Sequence, residues 1–170
     1  IVLLIGDAGL GKSRLIRELR EHVLQDDSER VAVIELRCSQ YHQGTSYFPI
    51  VEFFSRLLDF ENLSAAERLS PQKLKEVTEE LLLSWLRQLA DVSPVLFIVE
   101  DLHWLDPSTL ELLEKHVAQF ESGRMLSVLT FRPEFETPWK SKPHQTQIAL
   151  SRLTKRQVGE MMRKRTQRRD

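Results

Sequence analysis

A chain of 170 residues with 41% hydrophobic and 29% charged positions suits one globular domain with a core and is too short for two comfortable ones. A single cysteine, Cys38, excludes an internal disulfide and fits a reducing, cytoplasmic setting, and no apolar run nears the ~20 residues of a membrane span. The formal net charge of −1 is unevenly spread: residues 151–170 hold eight Lys or Arg against two acids, a net of +6, leaving −7 on residues 1–150. So short a basic run reads as one solvated helix rather than a nucleic-acid surface.

Taken in order, Ile1 to Ile5 is apolar without alternation, the pattern of a strand buried on both faces of a parallel sheet. Opening directly on such a strand, the chain reads as a piece of a longer protein. Glycines follow, then a helix with Leu15, Ile16, Leu19 and Val23 at helical spacing, broken by Asp26-Asp27-Ser28. Val31–Leu36 reads as a second buried strand and Arg37–Tyr47 as a loop rich in Ser, Gln, His and Gly. Pro49 suits the first turn of a helix carrying Val51, Phe54, Leu57 and Leu58; Ser70-Pro71 opens another with Leu74, Val77, Leu81 and Trp85 along one side. Val95–Val99 is a third buried strand ending in Glu100-Asp101. Asp106-Pro107 then caps a helix with Leu110, Leu113 and Val117 inward. Met125–Phe131 is a fourth strand stopped by Arg132-Pro133, Gln147–Leu150 a short fifth, and Thr154-x-x-Gln157 a capping box opening the last helix. Strands alternating with helices predict an α/β fold, a mostly parallel sheet between helices on both faces.

Gly6-Asp7-Ala8-Gly9-Leu10-Gly11-Lys12-Ser13 matches G-x-x-x-x-G-K-[ST], between a buried strand and an amphipathic helix. Glycines let successive backbone amides converge on one anion-sized hollow, and the helix start adds its positive dipole end. In this reading residues Gly6 to Ser13, with Arg14 beyond them, surround the phosphates of a nucleoside triphosphate. Lys12 reaches the β- and γ-phosphates, and the Ser13 hydroxyl ligates Mg²⁺. A glycine turn that merely joins strand to helix would share the letters; the coincidence of motif, strand and helix favours the phosphate site.

The magnesium ion needs a second anchor, and Glu100-Asp101 stands at the carboxyl end of a buried strand, where parallel sheets place ligand groups. One carboxylate would hold the metal and the other orient or deprotonate the attacking water; if the two strands are neighbours, both acids fall beside the glycine loop. A solvated turn is the bland alternative. Arg132 ends the fourth strand on the same edge, where a guanidinium can contact the γ-phosphate; its competitor is a surface arginine before a proline. The five histidines show no ligand spacing with Cys38. Cys38, Tyr41 and His42 read as packing under a loop, and Trp104 as a plug of the core rather than a base-stacking platform.

GDAGLGKS at Gly6–Ser13, with VLFIVEDLHWLDPSTLELL from Val95 to Leu113, resembles the signal-transduction ATPases with numerous domains, cousins of the AAA+ ATPases. RCSQYHQGTSYFPIVEFF from Arg37, TFRPEF from Thr130 and LSRLTKRQV from Leu150 are similar to the same group. Within it the chain is most similar to ATPase modules of class III nucleotide cyclases, kinase–cyclase fusions and helix-turn-helix regulators. The resemblance implies a P-loop three-layer α/β/α fold with five strands ordered 5-1-4-3-2, binding ATP as a switch. It implies Glu100 on the magnesium side, where Asp is commoner, Asp101 as the water-activating acid, and Arg132 as a phosphate sensor. Catalysis would then rest on Asp101, Lys12 and Arg132. It implies other domains in the same chain, including a winged-helix lid and helical repeats beyond residue 170. Nucleotide-dependent self-association and no direct nucleic-acid or membrane binding by these residues complete the picture. A small-molecule or nucleotide kinase is the rival from another class, needing an arginine-bearing lid and a substrate pocket; a binding-only module without hydrolysis is the other.

Overall fold

A computed structural model describes residues 1–25, 30–58, 71–119, 123–152, 154 and 157. Five strands, β1 (Val2–Ile5), β2 (Ala32–Arg37), β3 (Val95–Glu100), β4 (Met125–Phe131) and β5 (Thr146–Ala149), form one sheet in the order β2-β3-β4-β1-β5. All four pairings are parallel, and the order is the implied 5-1-4-3-2 read from the other edge. Helices α1 (Lys12–Gln25), α2 (Phe48–Leu58), α3 (Pro71–Val92) and α4 (Pro107–Gln119) complete the three layers.

Side chains alternate across β3 and sort the core into two clusters. Val95, Phe97 and Val99 face a large cluster with Ile50 of α2, Leu83, Leu86 and Ala90 of α3, and Leu112, Leu113 and Val117 of α4. Leu96 and Ile98 face a small one with Leu4, Val128 and Ile16 of α1. Burial on both faces is why this strand lacks a polar alternation.

Helix faces depart from expectation by one position in several places. Leu15, Val51, Leu57 and Leu81, placed inward by their spacing, are 47%, 57%, 58% and 64% exposed. Ile16, expected inward beside Leu15, is buried, and the neighbours Ile50 and Leu82–Leu83 take the inward positions in place of Val51 and Leu81. Arg37, read as the start of a loop, is the last residue of β2. Asp26-Asp27-Ser28, Ser70, the Leu74 side chain and the helix after Gln157 lie outside the described residues. The capping box itself forms: the Thr154 amide donates to Gln157 Oε1 at 2.9 Å, and the Gln157 amide donates to Thr154 Oγ1 at 3.3 Å.

Candidate phosphate-binding site

The glycine loop is fixed at its root by both strands beside β1. The Gly6 amide donates to the Phe131 carbonyl at 3.2 Å, and the Leu150 amide donates to the Ile5 carbonyl at 2.7 Å. Gly9 and Gly11 then take φ of 80° and 93°, a conformation that any side chain would strain. The Leu15 amide donates to the Gly11 carbonyl at 3.0 Å and starts α1, whose first amides have no partner inside the helix and face the loop. Lys12 is only 7% exposed: its Nζ donates to the Gly6 carbonyl at 2.7 Å and the Asp7 carbonyl at 3.1 Å. A fixed positive charge therefore lies against the loop. Ser13 is exposed beside it, whereas Arg14 turns along the helix surface toward Glu18, 3.9 Å away.

The strands carrying the loop and the paired acids are not neighbours, since β4 lies between β1 and β3. The two sites nevertheless meet: Ser13 and Glu100 line one cleft, and the Ser13 hydroxyl is near enough to favour the ionised Glu100 carboxylate. Glu100 is 7% exposed, and burial raises its pKa despite the opposing influence of the Ser13 hydroxyl and the Arg37 guanidinium. Arg37 is the register partner of Glu100 across β2 and β3, with Nε 3.7 Å from Glu100 Oε1. Arg37 also bonds Glu35, which Arg20 of α1 reaches at 3.0 Å. Burial raises the Glu35 pKa, but the two guanidinium groups outweigh it and leave the pKa lowered. These groups, with Ser13, Asp101 and Cys38, line a cleft of about 370 Å³. Burial and the surrounding acids push the Cys38 thiol pKa upward, so the thiol stays protonated there.

Asp101 follows in a left-handed conformation, φ 61° and ψ 51°, which costs a non-glycine residue about 1–2 kcal/mol. Its amide donates to Oγ1 of the fully buried Thr130 at 3.0 Å, tying the turn to β4. Arg132 lies two residues beyond Thr130. Its strand pairs with β1 as expected, and its guanidinium carbon sits 5.6 Å from the Trp104 ring centroid. Trp104 is thus no core plug: it joins neither core cluster and is partly exposed beneath Arg132.

The segment after β2 closes over the turn that follows Asp101. Gln43 Nε2 donates to the His103 carbonyl at 3.2 Å, and the Tyr47 amide to Asp106 Oδ1 at 3.0 Å. His42 stacks on Phe48 with centroids 3.6 Å apart, as expected of packing, whereas Tyr41 is 81% exposed. Sequence reasoning missed Arg37, Thr130 and His103. An arginine closing β2 just as Glu100 closes β3 was the one available signal.

A parallel sheet between helix layers, with a glycine loop running from its inner strand β1 into α1, defines the fold as that of a P-loop nucleoside triphosphatase. The family model described as "AAA ATPase domain" matches residues 1–129, and the chain belongs to that family of nucleotide-binding and hydrolysing modules. The crystal structure of Cdc6p from Pyrobaculum aerophilum superposes with a TM-score of 0.58 over 98% of this chain and 42% of that one, at 18% identity; this is a likeness of fold. An uncharacterized protein of Rhizobium meliloti (strain 1021) is 26% identical across 90% of this chain, which spans 18% of that protein's length. Among the described residues no helix is long and apolar enough to cross a membrane.

Proposed function

We propose that residues 1–170 are the ATPase core of a multidomain signalling or transcription regulator of the signal-transduction ATPase type, a switch that binds ATP and hydrolyses it slowly. The observation that carries this reading is a convergence: Lys12 is held against the glycine loop by the Gly6 carbonyl, and the next residue, Ser13, lines one cleft with Glu100 and Asp101 of the β3 end. In this reading the loop from Gly6 to Gly11 and the first amides of α1 cradle the phosphates, and Lys12 offsets their charge. Ser13 and Glu100 are hard oxygen donors lining the same cleft, a set that fits Mg²⁺. When bound there, the ion would neutralise charge developing on the phosphate oxygens. Asp101 orients the attacking water or takes its proton, while Arg132 meets the γ-phosphate. Other domains of the same chain and nucleotide-dependent self-association complete the switch.

The test is phosphate release by the full-length protein alongside equilibrium binding of ATP. Asp101→Asn should keep ATP affinity within about threefold while turnover drops by roughly a hundredfold or more, the scale of a lost general base. Unchanged turnover in that variant removes Asp101 from the mechanism.

A further inference from the structure

We propose that the cleft between α1 and the edge of the sheet is an exit path and weak binding site for the inorganic phosphate released from ATP, with Arg20 and Arg37 as the groups that hold the anion. This rests on the ATPase reading and names the product site of that same centre. Ser13, Ile16, Arg17 and Arg20 follow one another at helical spacing on one stripe of α1, and all four line the cleft. Seven residues separate Ser13 from Arg20, so this wall runs about 10 Å along the helix, away from the glycine loop. Glu35 and Arg37 of β2 face it, with Glu100 and Asp101 at the end of β3. Ser13 and the two acids mark the end where the γ-phosphate lies in the ATP-binding reading. Arg20 and Glu35 mark the far end, and Arg37 stands between, 3.7 Å from Glu100.

Glu35 is the tether of the far end. Its Oε2 accepts from Arg20 Nη1 at 3.0 Å and its Oε1 from Arg37 Nε at 2.7 Å, so one carboxylate holds guanidinium groups from two elements on the cleft wall. A tie between α1 and β2 needs Arg20 alone. The second guanidinium belongs to the same strand as Glu35, two residues along on the same face, and adds charge to the cleft rather than a link between elements. Two cations thus meet one anion there, and Arg17 adds a third whose partner Glu21 is 4.0 Å away in an exposed pair. A guanidinium carries five N–H donors, and the bonds to Glu35 engage part of each group.

Hydrolysis separates the terminal phosphate from ADP, which stays on the glycine loop behind it. The freed anion is repelled by the carboxylates at the near end of the cleft, whereas the guanidinium groups draw it toward the sheet edge. Exposed ion pairs are weak, and a guanidinium matches phosphate as readily as carboxylate. Exchange of Glu35 for phosphate therefore costs little, and the site lets go of what it catches.

The test is equilibrium dialysis of radiolabelled inorganic phosphate against the full-length protein saturated with Mg–ADP, with ionic strength matched by chloride, for wild type, Arg20→Met and Arg20→Lys. Arg20 is chosen because it lies two helical turns beyond Ser13 and is held on Glu35, away from the loop. Arg20→Met should bind phosphate about tenfold more weakly than wild type, the scale of a lost bond to a charged group, and Arg20→Lys should fall between them. ADP affinity by calorimetry should differ by less than about threefold among the three, and their melting temperatures should lie close together, as an exposed ion pair adds little stability. Equal phosphate binding by wild type and Arg20→Met would place the phosphate on the loop alone and overturn the proposal. So would a wild type that binds ADP but no phosphate. A wild type that binds neither ADP nor ATP defeats the ATP-binding reading and this inference with it, an outcome separate from the first two.

Discussion

Two sets of buried polar groups sit within one sheet's reach of each other, and they are treated in opposite ways. Near α3 and α4 the buried acids are satisfied: Asp106 accepts from the Tyr47 amide, the Thr109 amide and the Thr109 hydroxyl. Glu79 accepts from the Tyr47 hydroxyl at 2.7 Å and pairs with Lys115, while His116 meets Ser127. At the carboxyl edge of β3, Glu100 is buried with a raised pKa, Asp101 is left-handed and neither nitrogen of His103 has a hydrogen-bond partner among the described residues. The acids of the first set close their hydrogen bonds within the protein and hold the fold. The second leaves donors and charges in reserve, as a site that must meet an anion and a cation does.

If this division holds, the largest loss of stability comes from the satisfied set. Asp106→Ala removes the N-cap of α4 and orphans the Tyr47 amide, and should cost about 2–4 kcal/mol in urea denaturation. Asp106→Asn keeps one acceptor oxygen and should cost less. A loss within about 0.5 kcal/mol for Asp106→Ala would mean that the network is peripheral and the comparison fails.

Much of this arrangement was legible in the sequence because the strands are buried on both faces. Val95–Val99 has no polar position, and all of it is buried. The glycine loop was equally plain, since its letters, strand and helix are contiguous. Helix faces were harder: adjacent apolar pairs such as Leu15-Ile16 and Ile50-Val51 leave the inward member undecided until the sheet is present. The remainder of the site is a matter of register. Arg37 meets Glu100, and Thr130 meets Asp101, only because β2, β3 and β4 lie side by side, and no local spacing carries that information. Trp104 failed as a plug for the same reason, as its partner Arg132 arrives from another strand.

A smaller effect sharpens the other side of the comparison through pH. The Glu100 pKa is raised above its ordinary 4.5, mainly by burial, so the folded state holds this proton more tightly than the unfolded one. Its contribution to stability is fully present below 4.5 and is lost as pH rises through the folded value. His116 runs the other way: burial lowers it to about 4 from 6.5, so its contribution is lost as pH falls through that window. Glu100→Gln should therefore make the nucleotide-free protein slightly more stable at pH 7 and its decline toward pH 4 steeper. Urea melts across that range, with and without Mg²⁺, measure both. A variant less stable than wild type at pH 7 would show that Glu100 belongs with the satisfied groups after all.

The central claim is that the loop beneath Lys12 holds the phosphates of ATP, and its most direct test is calorimetry of Mg–ATP with the full-length protein, wild type against Lys12→Ala. Lys12 is buried and held by the Gly6 and Asp7 carbonyls, so a melting curve on each protein separates lost binding from lost structure. The account predicts an ATP affinity lower by about 1.5–3 kcal/mol in a variant that still unfolds cooperatively, the scale of a charge-assisted contact. Equal ATP affinity for the two folded proteins would contradict it, and the phosphate site would have to be sought elsewhere.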